Sequence, residues 1–388
     1  MSIEATQATS RPTGTALLYG LLERAKQFPD AITLGRGDPD FPTPEHIRAA
    51  ALEAATRGDA APSPIEGLPA LREAIAARLY AVNGIAVDPT TEIVVTQGGQ
   101  EAITLAVLTA LRPGDEIIVP EPTYNTFKDA IALAGARSVP VVTSVDEGFA
   151  VTAVRIGAAL TERTRALLLI SPNNPSAAVI PPDQVRAIAA LAENRDLLVL
   201  ADDTYDRFLY DGAIHLSPAA LPGMKRRTLT LNTLSKTYAM TGWRVGWVAG
   251  PAELMRRLRR VKEAISGGTS VVAQHAGIAA LTGPQEAVAA MHQTYIRRRS
   301  IVLDALDAMG LAYGRPLGGQ FVFIDARRYG RGSLELCSRI LEEAHVLVYP
   351  GVSFGEAWDG FLRMTFLQPE ELLREGLRRV ADVLGKLG

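Results

Sequence analysis

TLTLNTLSKTYAMTGWRVGWVA, residues 228–249, sets a single lysine between two apolar runs, TLTL (228–231) and VGWVA (245–249). Runs of this length and composition read as strands buried in a sheet. Thr233 and Ser235 flank Lys236, and Arg244 follows eight residues after the lysine. A lysine emerging between two buried segments is costly unless it is paired or chemically used. Hydroxyls beside it and an arginine nearby fit a dianionic phosphate, whose oxygens guanidinium binds with a two-pronged fork. A lysine amine confined near other cations also has the depressed pKa that a Schiff-base former needs. Taken alone, the stretch is as compatible with ordinary solvated charges at two loop ends.

Upstream, similar runs recur at IVVT (93–96), EIIVP (116–120), VPVV (139–142), ALLLIS (166–171) and LLVLAD (197–202). Helical spacing separates most of them, at Gln100–Leu111, Tyr124–Ala134 and Asp183–Glu193. Strands apolar on both faces alternating with helices predict an α/β domain with a mostly parallel seven-stranded sheet flanked by helices. The Gln100–Leu111 helix is apolar nearly all round and is expected to be buried. Before the sheet, helices are predicted at Ala16–Phe28, Pro44–Arg57 and Leu68–Tyr80, separated by the loop GRGDPDFPTP (35–44) and a rigid turn at Ala60–Gly67. Beyond Thr282-Gly283-Pro284 a long helix (Gln285–Met309) precedes short strands at FVFID (321–325) and VLVYP (346–350) and a terminal helix. These boundaries define a large domain at 46–283 and a smaller α+β domain from 1–45 and 284–388. The run Arg297-Arg298-Arg299 reads as a solvated helix face rather than an anion site.

A chain of 388 residues suits two or three domains, and 47% hydrophobic against 21% charged residues fits a large folded core. A net charge of −2 offers no global attraction to nucleic acid or anionic membrane. No apolar run reaches the roughly 18 residues of a membrane span, and the N-terminus lacks a signal-peptide core. Cys337 is the only cysteine, which excludes an internal disulfide framework and fits a reducing cytoplasm. The five histidines show no metal-ligand spacing, so no metal is expected.

In an open parallel sheet, ligands bind beyond the carboxyl ends of the strands. After IVVT, Gly98, Gly99 and Gln100 open a helix whose backbone amides can approach a phosphate. After EIIVP, Tyr124 can lay its ring on a planar ligand, or pack as an ordinary tyrosine. Asn173 and Asn174 follow ALLLIS between prolines, placed either for Asx turns or for donating an amide to a ligand. Asp202 ends a buried strand and needs a partner, such as a protonated ring nitrogen or an arginine. Arg363, within FLRMTF, either pairs structurally or binds a carboxylate. A phosphate cradle, a stacking ring, a carboxylate for a ring nitrogen, an amine and a carboxylate-binding arginine together describe pyridoxal phosphate and an amino acid.

In order and spacing, GRGDPDFPTP, VTQGGQEAI, PEPTYNTF, SPNNPSAA, ADDTYDRF, SKTYAMTGWRVGW and FLRMTF resemble the class I aminotransferases, the fold-type I pyridoxal-phosphate enzymes, from about Ile32 to Leu367. The resemblance implies that Lys236 forms a Schiff base with pyridoxal 5′-phosphate and later carries the substrate Cα proton. It implies that Asp202 holds the pyridine nitrogen protonated, that Tyr205 and Asn174 bond the phenolic oxygen, and that Tyr124 stacks on the ring. Gly98, Gly99, Gln100, Thr233, Ser235 and Arg244 are implied for the phosphate, and Arg363, Asn174 and Gly37 for the substrate carboxylate. A homodimer with sites at the subunit interface is implied as well, with an L-amino acid and a 2-oxo acid as substrates.

Three positions depart from the family pattern. Pro62 stands where a cross-subunit tyrosine is usual, NPTG reads Asn174-Pro175-Ser176-Ala177, and SNPTSIAQ reads GGTSVVAQ (267–274). Gln100 replaces the lysine that some bacterial aspartate-using members place after the glycine pair. Same-fold alternatives, namely a C–S lyase, an oxidase or a biosynthetic specialist, share the lysine, aspartate and arginine. A transcriptional regulator built on this fold would carry a DNA-binding domain ahead of it, whereas about 30 residues precede the GDPDF motif here.

Overall fold

A computed structural model of the chain describes residues 14–59 and 62–387. The first 13 residues of the expected small domain and the start of the expected 60–67 turn lie outside the described residues. Helix α1 spans Gly14–Ala25. The seven expected runs become strands β1 (Ile93–Thr96), β2 (Glu116–Glu121), β3 (Arg137–Val142), β4 (Thr164–Ile170), β5 (Leu198–Asp202), β6 (Thr228–Thr233) and β7 (Gly246–Ala249). They form one sheet in the order β1-β7-β6-β5-β4-β2-β3. Only β7 runs against the rest, antiparallel to both β1 and β6.

The continuous apolar runs follow from burial on both faces. Leu168 and Leu200 turn to a layer containing α2 (Gly98–Ala110), α3 (Asn125–Leu133) and α4 (Ala252–Ile265). Leu167, Leu169, Val199 and Ala201 turn instead to Ile156, Val185 and Ile188 of the helices behind. Alternate residues of each strand thus serve opposite layers.

A second sheet is antiparallel, pairing β8 (Ala312–Tyr313), β9 (Phe321–Asp325), β10 (Tyr349–Pro350) and β11 (Phe361–Thr365) in the order β10-β11-β9-β8. VLVYP, expected as one strand, is divided: Val346–Leu347 pairs in parallel with Ile32–Thr33, whereas Tyr349–Pro350 pairs with β11. That first pairing ties the N-terminal segment to the C-terminal one. The helix expected to reach Tyr80 is α-helical over Pro69–Arg78 and widens into a π-turn at Leu79–Asn83, capped by left-handed Gly84.

The long helix, α5 (Glu286–Ala308), corrects the reading of the arginine run. Only Arg297 is solvated. Arg298 and Arg299 are buried, and each grips an aspartate: Asp40 at 2.8 Å and Asp211 at 2.6 Å. Positions 298 and 299 face inward because the helix lies across the junction of the GRGDPDFPTP loop and the loop after Tyr210.

Candidate active site

At the carboxyl edge of the large sheet the register brings distant residues together. Asp202, ending β5, lies between Ile170 of β4 and Leu231 of β6. Thr96 of β1 and Thr233 of β6 flank Gly246, the first residue of β7. Because β7 is reversed, the residues just before it reach the edge where its neighbours end. Lys236 therefore arrives from the end of β6 and Arg244 from the approach to β7, both on one rim. Gly246 is required there, since an added Cβ would lie 2.9 Å from the Asn232 carbonyl oxygen and from the Gly98 backbone.

The rim opens on a cavity of about 340 Å³. At one end, left-handed Gly98 (φ +78°) turns the chain into α2, whose first N–H groups have no intrahelical acceptor. A Cβ on Gly98 would meet the Arg244 guanidinium at 2.5 Å, so glycine is what admits the arginine. Arg244 itself is left-handed (φ +57°), uncommon for a side chain of this size. Among the described residues it bonds only carbonyls, Thr241 O at 2.8 Å and Gln97 O at 3.4 Å. Thr233 and Ser235 add hydroxyls 2.9 Å apart. This end is a concentration of donors.

At the other end Arg363 is buried, ringed by Phe321, Tyr349 and Phe354 at 4.9 to 5.1 Å. It donates to Asn174 Oδ1 at 3.1 Å and to the Gly35 carbonyl, and its Nε has no partner among the described residues. No carboxylate of a described residue pairs with Arg363 or Arg244. Burying the Arg363 guanidinium without a counter-charge is expensive, and the half-buried Arg244 faces the same cavity, so an anion is expected at each.

Between them lies a carboxylate in the opposite predicament. Among the described residues Asp202 accepts from Thr204 alone, its N–H at 3.0 Å and its side chain. Burial pushes its pKa up to about 6; the Thr204 hydrogen bonds oppose the rise, and nearby Asp203 and Asp206 add to it. Lys236 Nζ donates to Gly37 O at 2.8 Å and to Asp38 Oδ1 at 3.2 Å. Burial lowers the Lys236 pKa, Asp38 resists, and Arg363 and Arg244 push it lower still. Burial raises Asp38, but Lys236 and Arg36 outweigh it and hold the carboxyl below its ordinary value. Tyr205, buried edge-on to Phe321 at 5.2 Å, and Tyr124, at the start of α3, complete the walls.

Gly37, Gly99, Gln100, Tyr124, Asn174, Asp202, Tyr205, Thr233, Ser235, Lys236, Arg244 and Arg363 all line this one cavity, and Gly98 backs Arg244 beside it. The two asparagines divide the alternatives between them: Asn173 closes its own loop through Ser176, while Asn174 faces Arg363. Pro62 is exposed, and neighbouring Ser63 bonds Thr269 O at 2.9 Å. A Cβ on Gly268 would lie 2.6 Å from Ser63, which accounts for glycine in GGTSVVAQ. Asp38, the aromatic ring around Arg363 and the α1 residues Leu18, Tyr19 and Leu22 over the cavity went unread in the sequence. Arg36-Gly37-Asp38, a charge pair across a glycine, was the available signal for Asp38.

The sequence pattern of the class I and II aminotransferases matches residues 29–380. The chain belongs to that family, which depends on pyridoxal phosphate in general. It is 42% identical over 94% of its length to the arginine–pyruvate transaminase of Pseudomonas aeruginosa, covering 92% of that protein. Among solved structures, the aromatic aminotransferase of Pyrococcus horikoshii superposes with a TM-score of 0.90 at 38% identity, over 95% of this chain and 100% of that one. The aspartate aminotransferase of Thermus thermophilus with maleate gives 0.90 at 37% identity, over 96% and 97%.

Proposed function

We propose that this chain is a homodimeric, pyridoxal 5′-phosphate-dependent aminotransferase that moves an amino group from an L-amino acid to a 2-oxo acid in two half-reactions. The observation that carries the reading is the charge pattern of the cavity: two cations and one carboxylate face it without opposite charges from the described chain. A phosphate, a protonated ring nitrogen and a substrate carboxylate would satisfy Arg244, Asp202 and Arg363 in turn.

The cofactor, when bound, supplies an aldehyde carbon for the amino group and a ring that withdraws electrons from the substrate Cα. The protein does the rest. Gly98, Gly99, Gln100, Thr233, Ser235 and Arg244 would hold the phosphate, and Tyr124 would lie against the ring. Asp202 would keep a proton on the ring nitrogen, and Tyr205 with Asn174 would donate to the ring oxygen. Lys236, its pKa already depressed, would serve as the covalent attachment point and then take and return the proton at the substrate Cα. Arg363, Asn174 and the Gly37 backbone would clamp the α-carboxylate so that the Cα–H bond points at the Lys236 amine. The domain division at 46–283 against 1–45 and 284–388 would let the smaller part close over that clamp. The single, buried Cys337 supports a cytoplasmic setting.

The test is to titrate apo-protein with pyridoxal phosphate, trap the adduct with borohydride, and then add an amino-acid panel including arginine, aromatic residues and aspartate, with pyruvate as acceptor. Visible absorbance, trapping at Lys236 and stoichiometric 2-oxo acid are expected. A colourless protein with no adduct at this side chain would overturn the reading, and release of ammonia with a thiol or hydrogen peroxide, in place of alanine formed from the pyruvate, would move it to lyase or oxidase chemistry.

A further inference from the structure

Behind the donor-rich end of the cavity is a charge pair that none of the roles above uses. Lys262 of α4 is wholly buried, an arrangement a lysine tolerates only with a close counter-charge. Its hydrogen-bond partner among the described residues is Glu101 Oε2, at 2.9 Å. Glu101 lies in the first turn of α2, next to Gln100 and three residues beyond Gly98. The same Oε2 accepts the Gln97 N–H, and Oε1 accepts the Ser266 hydroxyl. Gln97 is thereby held from both sides: Glu101 takes its N–H, and its carbonyl accepts Arg244 at 3.4 Å. With Gln97 fixed, left-handed Gly98 turns the chain so that Gly99 and Gln100 line the cavity.

This placement carries an electrostatic conflict. A helix N-terminus favours one negative charge, and Glu101 already brings a carboxylate to the end where a dianionic phosphate would bind. A carboxylate left bare there would repel the phosphate. We propose that Lys262 is a positioning residue for the cofactor phosphate, neutralising Glu101 so that this carboxylate can brace Gln97 without opposing the anion. The inference rests on the proposed function, since it presumes that the anion at this end is the phosphate of pyridoxal phosphate.

The two partners then have opposite effects, which a packing role would not produce. Dissociation constants of the apo-protein for pyridoxal phosphate and for unphosphorylated pyridoxal are compared by fluorescence titration in wild type, Lys262→Met, Glu101→Gln and the double variant. Lys262→Met is expected to weaken pyridoxal phosphate binding about tenfold and pyridoxal binding less than about twofold, because only the phosphate meets the bare carboxylate. Glu101→Gln keeps an acceptor for Gln97, leaves Lys262 as surplus positive charge, and is expected to hold or tighten phosphate-dependent binding. The double variant should return to within about threefold of wild type. Equal weakening in both single variants, or a double variant as weak as Lys262→Met, would overturn the proposal. Should Lys262→Met fail to fold, the sign of the Glu101→Gln shift and the double variant still decide it. Wild-type protein that binds no pyridoxal phosphate would instead refute the proposed function.

Discussion

Arg298 and Arg363 are both buried arginines, and their surroundings differ in one respect. Arg298, on α5, meets both oxygens of Asp40 at 2.8 and 2.9 Å and the Leu367 carbonyl at 2.9 Å. Arg363, on β11, meets two neutral oxygens and three aromatic rings. A buried cation whose counter-charge belongs to the chain holds the fold together. One with no counter-charge among the described residues has been kept at a cost in stability, and binding is the use that explains the cost. Neither burial nor residue type separates these two; the inventory of partners does.

The sharpest way to break this contrast is at Lys236, where covalent chemistry and charge coincide. Lys236→Ala is expected to lower turnover about 10⁴-fold or more and to remove the visible absorbance of lysine-linked cofactor. Spectra and single-turnover assays check both, and a variant retaining either would remove the chemistry from this side chain. Next in size, Arg298→Ala should destabilise the fold by about 3 kcal/mol, since Asp40 loses its partner. Denaturant unfolding of the apo-protein reads this. Arg363→Met should do the reverse in the same assay, leaving stability unchanged or raised. In kinetics it should lift KM for amino-acid substrates about 100-fold with cofactor still bound. A destabilised Arg363→Met variant with normal KM would erase the distinction between the two arginines.

A smaller effect is expected from pH. An Asp202 pKa raised to about 6 in the folded apo-protein, against 3.8 ordinarily, means that folding penalises the ionised carboxylate. Its contribution to stability is therefore fullest below about pH 4 and is lost as pH rises through 6. A cationic partner reverses the preference, so pyridoxal phosphate affinity should fall in wild type as pH drops below about 6. The fall should be steeper than in Asp202→Asn, the comparison that removes the titration of the phosphate itself. Smallest of all, Arg297→Ala should change stability by less than about 1 kcal/mol, because its bond to Glu370 is solvated.

Much of the site was legible along the chain because each component follows its own strand. Asp202 closes a buried apolar run, Gly98 and Gly99 sit between a strand and a helix, and Lys236 stands beside two hydroxyls. Local pattern suffices for such signals, since strand ends in a parallel sheet share one edge. The partners of Arg298 and Lys262 were not legible. They lie 258 and 161 residues away in sequence, and nothing local distinguishes a helical arginine that will meet an aspartate from one that will meet water. The division of VLVYP between two pairings was hidden for the same reason, as its two halves answer to strands at opposite ends of the chain.

Residue by residue, the amino-acid order determined which chemical groups the cavity would possess and that a buried, mostly parallel sheet would present them. Tertiary structure alone decided which charges were answered within the chain and which were left for a ligand. It also set the reversal of β7 that brings Arg244 to the rim and the placing of Lys262 against Glu101. The physical reason is range: strand and helix patterns arise from neighbours a few residues apart, whereas charge compensation in a low-dielectric interior depends on whichever group the fold brings within a few ångströms.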